Sequence, residues 1–206
     1  MIAALYVETN GVYFGLEGVE PYDINRDARK YRGPNPAVVH SPCDRWGRYW
    51  SGGPSARERR FKGDDGGCFA HGLWVVRTFG GVMEHPEASW AWEWFGLRRP
   101  HTAGGWTQAD NFGGFTCQVE QGNYGHRARK KTWLYAVVPD ADRLPRLNWG
   151  PSRGEHLDEG FHSTEERRAA RAAGVKPRPR LSTAENIATP APFRDLLINV
   201  ARLAAA

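Results

Sequence analysis

The chain has few cysteines and no long apolar run, and these two features exclude several classes of protein. Its three cysteines are an odd number without CxxC spacing, so we expect neither a disulfide framework nor a zinc site. No stretch of about 18 apolar residues occurs, which predicts no membrane contact. No basic segment precedes an apolar run at the N-terminus, so no signal peptide is predicted. These absences favour a protein of the reducing cytoplasm.

What the chain does contain is enough apolar sequence for one core and an excess of positive charge. Its 206 residues are 40% hydrophobic, which favours a single domain. The net charge of +5 favours a polyanionic partner such as nucleic acid, and the nine tryptophans suggest stacking surfaces as well as core. We predict an α/β core over 1–140 and a C-terminal extension over 141–206, with two helices that pack on the core.

Short apolar strands alternate with helical patterns along the chain. Strands are predicted at 2–8, 36–40, 82–84, 115–121 and 131–138, and a basic loop without periodicity at 44–63. Helices are predicted after Asp64 or Asp65, at 87–95, at 163–174 and from Thr189 onward. Strand–helix–strand crossovers return the chain parallel to its start. The pattern therefore predicts a mostly parallel, Rossmann-like sheet with helices on both faces.

A cysteine follows the second predicted strand and is a candidate nucleophile. Cys43 comes after His40 and Pro42, and the cations Arg45 and Arg48 follow it. A thiolate whose pKa is lowered by nearby cations can attack a carbon centre. The alternative interpretation is a buried structural cysteine.

A glutamate ends the next strand and is a candidate acid. Glu84 stands before His85 and Pro86, one predicted helix after Cys43. A parallel crossover would bring both side chains to the same edge of the sheet. The alternative interpretation is a solvated glutamate before a turn.

A basic turn joins the last two predicted strands. It combines glycines, an aromatic residue and clustered cations, and such turns can hold phosphates and stack a base, although many are only solvated hairpins. The candidate residues for nucleic acid or phosphate are Arg45, Arg48, Tyr124, His126, Arg127, Arg129 and Lys130. We expect His40, His85 and Gln121 to line the same pocket.

These motifs resemble small phage-type reading frames that are distantly related to the DNA cytosine-5 methyltransferases. Pro42-Cys43 is similar to the family's Pro-Cys motif, and Glu84-His85-Pro86 to its Glu-Asn-Pro motif, with His in place of Asn. Tyr124-Gly125 and the basic strand after it are similar to a third motif. The order and spacing agree over roughly residues 36–138.

The resemblance implies a chemistry for the two candidate residues. Cys43 would add to carbon 6 of a flipped-out cytosine, and Glu84 would hold the ring as a neutral acid whose pKa burial raises. A methyl group would pass from S-adenosylmethionine to carbon 5. The partner would be DNA or a nucleotide, in the cytoplasm of a bacterial or phage-infected host cell.

The cofactor region is shorter than the family's. S-adenosylmethionine would lie near Glu8 and Gly11, with Asp23 or Asp27 reaching a ribose hydroxyl. Three alternatives remain open. The chain could be a non-catalytic phage protein of the same fold that binds nucleic acid, a cytosine-modifying enzyme with another donor, or an enzyme that acts on free nucleotides.

Overall fold

The computed structural model describes residues 1–52, 58–156, 163–175 and 180–205, which form one seven-stranded sheet with helices packed against it. The strands are β1 (Ile2–Leu5), β2 (Val19–Tyr22), β3 (Ala37–Val39), β4 (Gly81–Pro86), β5 (Thr107–Gln108), β6 (Gly114–Glu120) and β7 (Lys131–Val137). The helices are α1 (Cys68–Phe79), α2 (Trp90–Trp94), α3 (Thr164–Ala172), α4 (Thr183–Ile187) and α5 (Ala191–Arg202). Of the predicted loop at 44–63, residues 53–57 lie outside the described ranges.

The sheet is mixed, and the prediction of a mostly parallel, Rossmann-like sheet is wrong. The strand order is β2-β1-β3-β4-β7-β6-β5. The first four strands in this order run parallel, whereas β7, β6 and β5 each run antiparallel to their neighbours, and the antiparallel ladders pair more residues. The short link between β6 and β7 explains the error, because a parallel crossover needs about a dozen or more residues.

Alternate strand residues feed two hydrophobic clusters, one on each face of the sheet. Met83 of β4 belongs to the cluster that includes residues of α1 and α2, and Val82 to the cluster that includes residues of α5. Successive side chains of a strand point to opposite faces. Glu84 therefore lies on the α5 face, and His85 lies on the α1 face.

The C-terminal helices differ in how they attach. α5 buries five residues, among them Phe193 and Leu197, in the cluster on its face of the sheet, whereas α3 and α4 bury none. Ser163 caps α3, as predicted, by accepting a hydrogen bond from the Glu166 N–H. Within the described ranges, no helix combines the length and apolar character needed to cross a membrane.

Candidate functional site

Three segments of the chain meet at one end of the central strands, the carboxyl-terminal end of β3 and β4, which is called an edge of the sheet here. β3 and β4 pair in parallel, so the segment after β3, with His40 and Cys43, and the end of β4, with Glu84, reach the same edge. β7 runs antiparallel to β4, and Pro86 pairs with Thr132. The turn before β7 therefore ends at this edge as well. The sequence predicts the common edge of Cys43 and Glu84, and the structure brings Lys130 to it from the other side.

A chain of hydrogen bonds on the α5 face links Glu84 to two aromatic residues. His40 Nδ1 lies 2.9 Å from Glu84 Oε1, and the Tyr13 hydroxyl lies 2.7 Å from His40 Nε2. Desolvation alone would raise the pKa of Glu84. The hydrogen bond and charge of His40, together with the charge of Lys130, outweigh it, and the net pKa is lowered. The prediction of a neutral Glu84 is wrong, and the side chain is a carboxylate at neutral pH.

The Cys43 thiol lies near this carboxylate, and its pKa is raised rather than lowered. Desolvation is the largest cause and the negative charge of Glu84 is the next, whereas Lys130 acts in the opposite direction. Cys43 nevertheless keeps exposed surface, so a ligand can reach it. The prediction of a resting thiolate is therefore wrong. The thiol needs a base to remove its proton, and Glu84 is the nearby carboxylate.

Lys130 is the cation of the site. Burial lowers the pKa of its ammonium, while the negative charges of Glu84 and Cys43 raise it. Its Nζ donates a hydrogen bond to the Ala188 carbonyl at 3.2 Å, between α4 and α5. The C-terminal segment is thereby joined to the site.

Two polar atoms close to Lys130 are buried without a hydrogen-bond partner among the described residues. They are Gln121 Oε1 and Arg129 Nε. The amide nitrogen of Gln121 donates to Thr132 Oγ1 at 2.9 Å, which leaves the oxygen as the free acceptor. Gln121 thus supports the start of β7 from within.

The other pocket residue on β4 lies on the opposite face. His85 is fully buried, with its ring 5.2 Å from that of Phe69 and 6.2 Å from that of Trp92. Burial lowers its pKa to about 4, and the opposing effect of the negative charge of Glu84 is smaller. Neither ring nitrogen has a hydrogen-bond partner among the described residues. His85 is therefore a neutral, packed side chain and not a pocket residue beside Glu84.

Two other cations predicted to hold phosphate form ion pairs elsewhere. Arg127 pairs with Glu155 at 3.2 Å and with Glu185 at 2.8 Å. Arg45 pairs with Asp44 at 3.4 Å. Because its exposed guanidinium already forms ion pairs with two carboxylates, Arg127 joins the basic turn to α4, and a phosphate would have to compete with these carboxylates.

The aromatic residues of this region have structural contacts of their own. The guanidinium of Arg48 lies 5.9 Å from the ring centre of Tyr49. Tyr124 packs against Phe193 in the α5 cluster, so it is not an open stacking platform.

His126 connects the basic turn to α4. Its Nδ1 accepts a hydrogen bond from the Ala128 N–H, and its Nε2 lies 3.1 Å from the Glu185 carbonyl. Both ring nitrogens are thus used by the fold, and burial lowers the pKa of the imidazole.

No family model, curated protein or solved structure matches this chain.

The carboxylate assigned to a cofactor ribose is already saturated. Asp23 Oδ1 accepts from the N–H groups of Asn25 and Arg26, and Oδ2 accepts from the Thr9 hydroxyl and the Asn25 amide. These hydrogen bonds lower the pKa of Asp23, the bond from Thr9 most of all. Four acceptances fill a carboxylate, so Asp23 does not fit a ribose hydroxyl.

The other residues of that region also serve the fold. Asp27 caps a short 3-10 helix and binds the Arg29 guanidinium at 2.9 Å. The Gly11 N–H donates to the Glu8 carbonyl in a tight turn. The two carboxylates that the resemblance assigns to the ribose of S-adenosylmethionine, Asp23 and Asp27, therefore do not fit that role.

Tyr13 is the member of the site that sequence reasoning misses. It lies in a segment rich in glycine and aromatic residues, where no periodicity points to a buried hydroxyl. Only the fold shows that the segment after β1 runs beside the segment after β3.

Proposed function

We propose that this chain is a nucleobase-modifying enzyme that acts on a pyrimidine, in DNA or in a nucleotide, through a covalent adduct with Cys43. The observation that carries the proposal is the Cys43 thiol near the Glu84 carboxylate, which His40 holds, at the edge where β3 and β4 end. Ligands of open α/β sheets bind outside the carboxyl ends of parallel strands. The resemblance to the cytosine-5 methyltransferases supplies the substrate class.

The residues of the site balance the protons of such an addition. The Cys43 proton passes to the Glu84 carboxylate, and the sulfur forms a bond to carbon 6 of the ring. The electron pair of the 5,6 double bond moves toward carbon 4 and nitrogen 3, and nitrogen 3 takes the proton back from Glu84. Glu84 therefore acts first as a base and then as an acid.

The neighbours keep the two reacting groups in these roles. His40 orients the Glu84 carboxylate and favours its charged form. The Lys130 cation favours the Cys43 thiolate as it forms. A base and a cation close to a thiol are means by which proteins activate cysteine nucleophiles.

Exchange of the hydrogen at carbon 5 tests this chemistry without any group donor. In the adduct, electron density gathers at carbon 5, which can then take up a hydrogen from solvent. We expect the protein to transfer deuterium from heavy water to carbon 5 of cytosine, in an oligonucleotide or in deoxycytidine monophosphate, as measured by mass spectrometry.

Two cysteine variants make the exchange experiment specific. Cys43→Ser should abolish exchange, because a hydroxyl is a far weaker nucleophile than a thiolate. Cys68→Ser changes the half-buried cysteine at the start of α1 and should leave exchange intact. The proposal fails if the Cys43→Ser variant exchanges the hydrogen at carbon 5 at the wild-type rate. It also fails if the wild type exchanges this hydrogen in neither cytosine nor uracil, whether the base is in an oligonucleotide or in a free nucleotide.

A further inference from the structure

Exposed aromatic rings and cations from two segments of the chain, the segment after Cys43 and α2, form a surface. We call it the aromatic surface and define it by Trp50, Phe61, Lys62, Trp90 and Trp94. Phe61 is 55% exposed, Trp90 39% and Trp94 64%. Trp90 and Trp94 are four residues apart on α2, so they lie on one side of the helix. Clustered exposed apolar side chains mark interaction sites.

Buried Trp46 fixes this surface to the segment that carries the nucleophile. The Trp46 N–H donates to the Cys43 carbonyl at 3.0 Å, and the Trp90 N–H donates to the Trp46 carbonyl at 2.9 Å. The Trp46 and Trp94 rings lie 5.8 Å apart, and Trp46 Nε1 donates to Asp65 at 2.8 Å. A ligand on the aromatic surface is therefore held at a defined position relative to the thiol.

The cations of this surface lie over aromatic rings. Lys62 Nζ is 3.6 Å from the ring centre of Trp90 and 5.4 Å from that of Trp50. The guanidinium of Arg59 is 5.0 Å from the ring centre of Phe61. Rings and positive charges are thus interleaved.

Glu93, within α2, and Glu87, just before it, are balanced by other cations. Glu93 pairs with Arg99 at 3.1 Å, and Glu87 pairs with Lys131 at 3.5 Å. These carboxylates therefore do not cancel the charge of Lys62, and the surface suits a ligand that combines flat rings with negative charge.

We propose that the aromatic surface binds single-stranded DNA, so that the substrate is a pyrimidine in an unpaired strand. This inference rests on the proposed function. Successive bases can stack on exposed tryptophans while cations contact the phosphates, and such stacking is tolerant of sequence. In a duplex the base faces are covered by their neighbours, and a free nucleotide has only one base for several exposed rings.

Binding of a labelled single-stranded oligonucleotide of about ten bases, followed by fluorescence anisotropy, tests the surface. The variant with Trp90→Ala and Trp94→Ala should bind roughly tenfold or more weakly than the wild type. The matched control is Trp74→Ala, because Trp74 is also exposed, at 41%, but lies on α1 against His71. Its affinity should stay within about twofold of the wild type.

An oligonucleotide of the same length without bases separates stacking from charge. It should bind the wild type more weakly, and the tryptophan substitutions should not change its affinity. Lys62→Gln should reduce the slope of log affinity against log salt by roughly 0.7, as expected for one lost phosphate contact on a single strand. Trp90→Tyr with Trp94→Tyr keeps aromatic faces and should retain most of the affinity, which excludes a loss due to misfolding.

Several results would overturn the inference. They are unchanged affinity in the double alanine variant, tighter binding of duplex DNA, or tighter binding of RNA of the same sequence. Failure of this inference and failure of the proposed function give different results. If the protein exchanges carbon 5 of the free nucleotide but does not bind single-stranded DNA, the proposed chemistry stands and the proposed binding surface is wrong. If it binds single-stranded DNA but exchanges no hydrogen at carbon 5, the binding surface stands and the proposed chemistry is wrong.

Discussion

Glu84 acts on Cys43 in two opposing ways, and substitution separates them. Its negative charge raises the pKa of the thiol, yet it is also the base that the proposed addition needs. Glu84→Gln should therefore speed alkylation of Cys43 by iodoacetamide at neutral pH. The rate should rise by up to about tenfold for each unit by which the pKa of the Cys43 thiol falls. The same variant should lose carbon 5 exchange. Alkylation is measured by mass spectrometry in the Cys68→Ser background.

Lys130→Gln is the control of opposite sign. Removing this cation raises the pKa of the Cys43 thiol, so alkylation should become slower. If both variants speed alkylation, steric opening of the site rather than charge controls the thiol.

The hydrogen-bonded contact of His40 with Glu84 predicts a pH-dependent stability. The folded-state pKa of Glu84 is lowered, so the pair stabilises the fold above the ordinary pKa of a glutamate and this contribution is lost as pH falls through the folded value. His40→Leu strands a buried carboxylate and should cost about 3 kcal/mol at neutral pH. The loss should be smaller at about pH 5, because the stranded carboxyl then takes up a proton.

Urea unfolding of two variants measures this effect. The double variant with His40→Leu and Glu84→Leu should recover part of the stability, because no carboxylate is left buried without its hydrogen-bond partner. The recovery is incomplete because Lys130 loses the negative charge of Glu84. Equal losses for His40→Leu at both pH values would show that packing, not charge, makes His40 important.

At the residue scale, the sequence locates the reacting groups but not their charge states. Cys43 and Glu84 each follow a short apolar strand, and a local pattern is enough to place them at a common edge. Their pKa shifts depend on His40, Tyr13 and Lys130, which come from distant parts of the chain. Those contacts cannot be predicted from the sequence around Cys43 and Glu84 alone.

At the level of elements, two glycines with left-handed backbone flank α1, and they should respond differently to substitution. Gly67 has φ 78° and open space where a Cβ would be, whereas Gly81 has φ 120° and a Cβ there would overlap the backbone of Ala37 in β3. Gly67→Ala should cost about 1 kcal/mol from backbone strain alone. Gly81→Ala should cost about 3 kcal/mol or more, because β3 must also move.

Urea unfolding of the two glycine variants gives the comparison. Because β3 leads into Cys43, Gly81→Ala should also slow carbon 5 exchange, while Gly67→Ala should not. Equal losses of stability would mean that the close approach of Gly81 to Ala37 does not constrain the fold.

The elements themselves are predictable where the pattern is strong. β3, α1, β6, β7 and α5 all fall within a few residues of their predicted positions. β2 escapes prediction because its four residues include Pro21 and are only half buried, as suits an edge strand. The prediction of strand direction is wrong for another reason, because the alternation of strands and helices stops after α2 and the antiparallel pair β6–β7 follows.

On the scale of the whole molecule, the C-terminal helix should unfold together with the sheet. Leu197 is fully buried in the cluster on the α5 face, while Trp46 and Trp92 lie in the cluster on the other face. Leu197→Ala should cost about 2–5 kcal/mol. Tryptophan fluorescence and far-ultraviolet circular dichroism should report the same shifted urea midpoint.

Two separate midpoints would show that residues 141–206 form an independent unit. A single midpoint would place α5 in the same cooperative core as β1, β3 and β4, the strands that it contacts.

The reversal of strand direction between β4 and β7 also bears on how the protein assembles. Before β7 docks, β4 is an open edge whose unpaired backbone groups can recruit another chain. Docking of β7 covers that edge and, in the same step, brings Lys130 to Cys43 and Glu84. Long-range strand pairing of this kind is slow compared with local folding. A chain that has acquired its complete set of reacting groups has therefore already closed the edge through which it would aggregate.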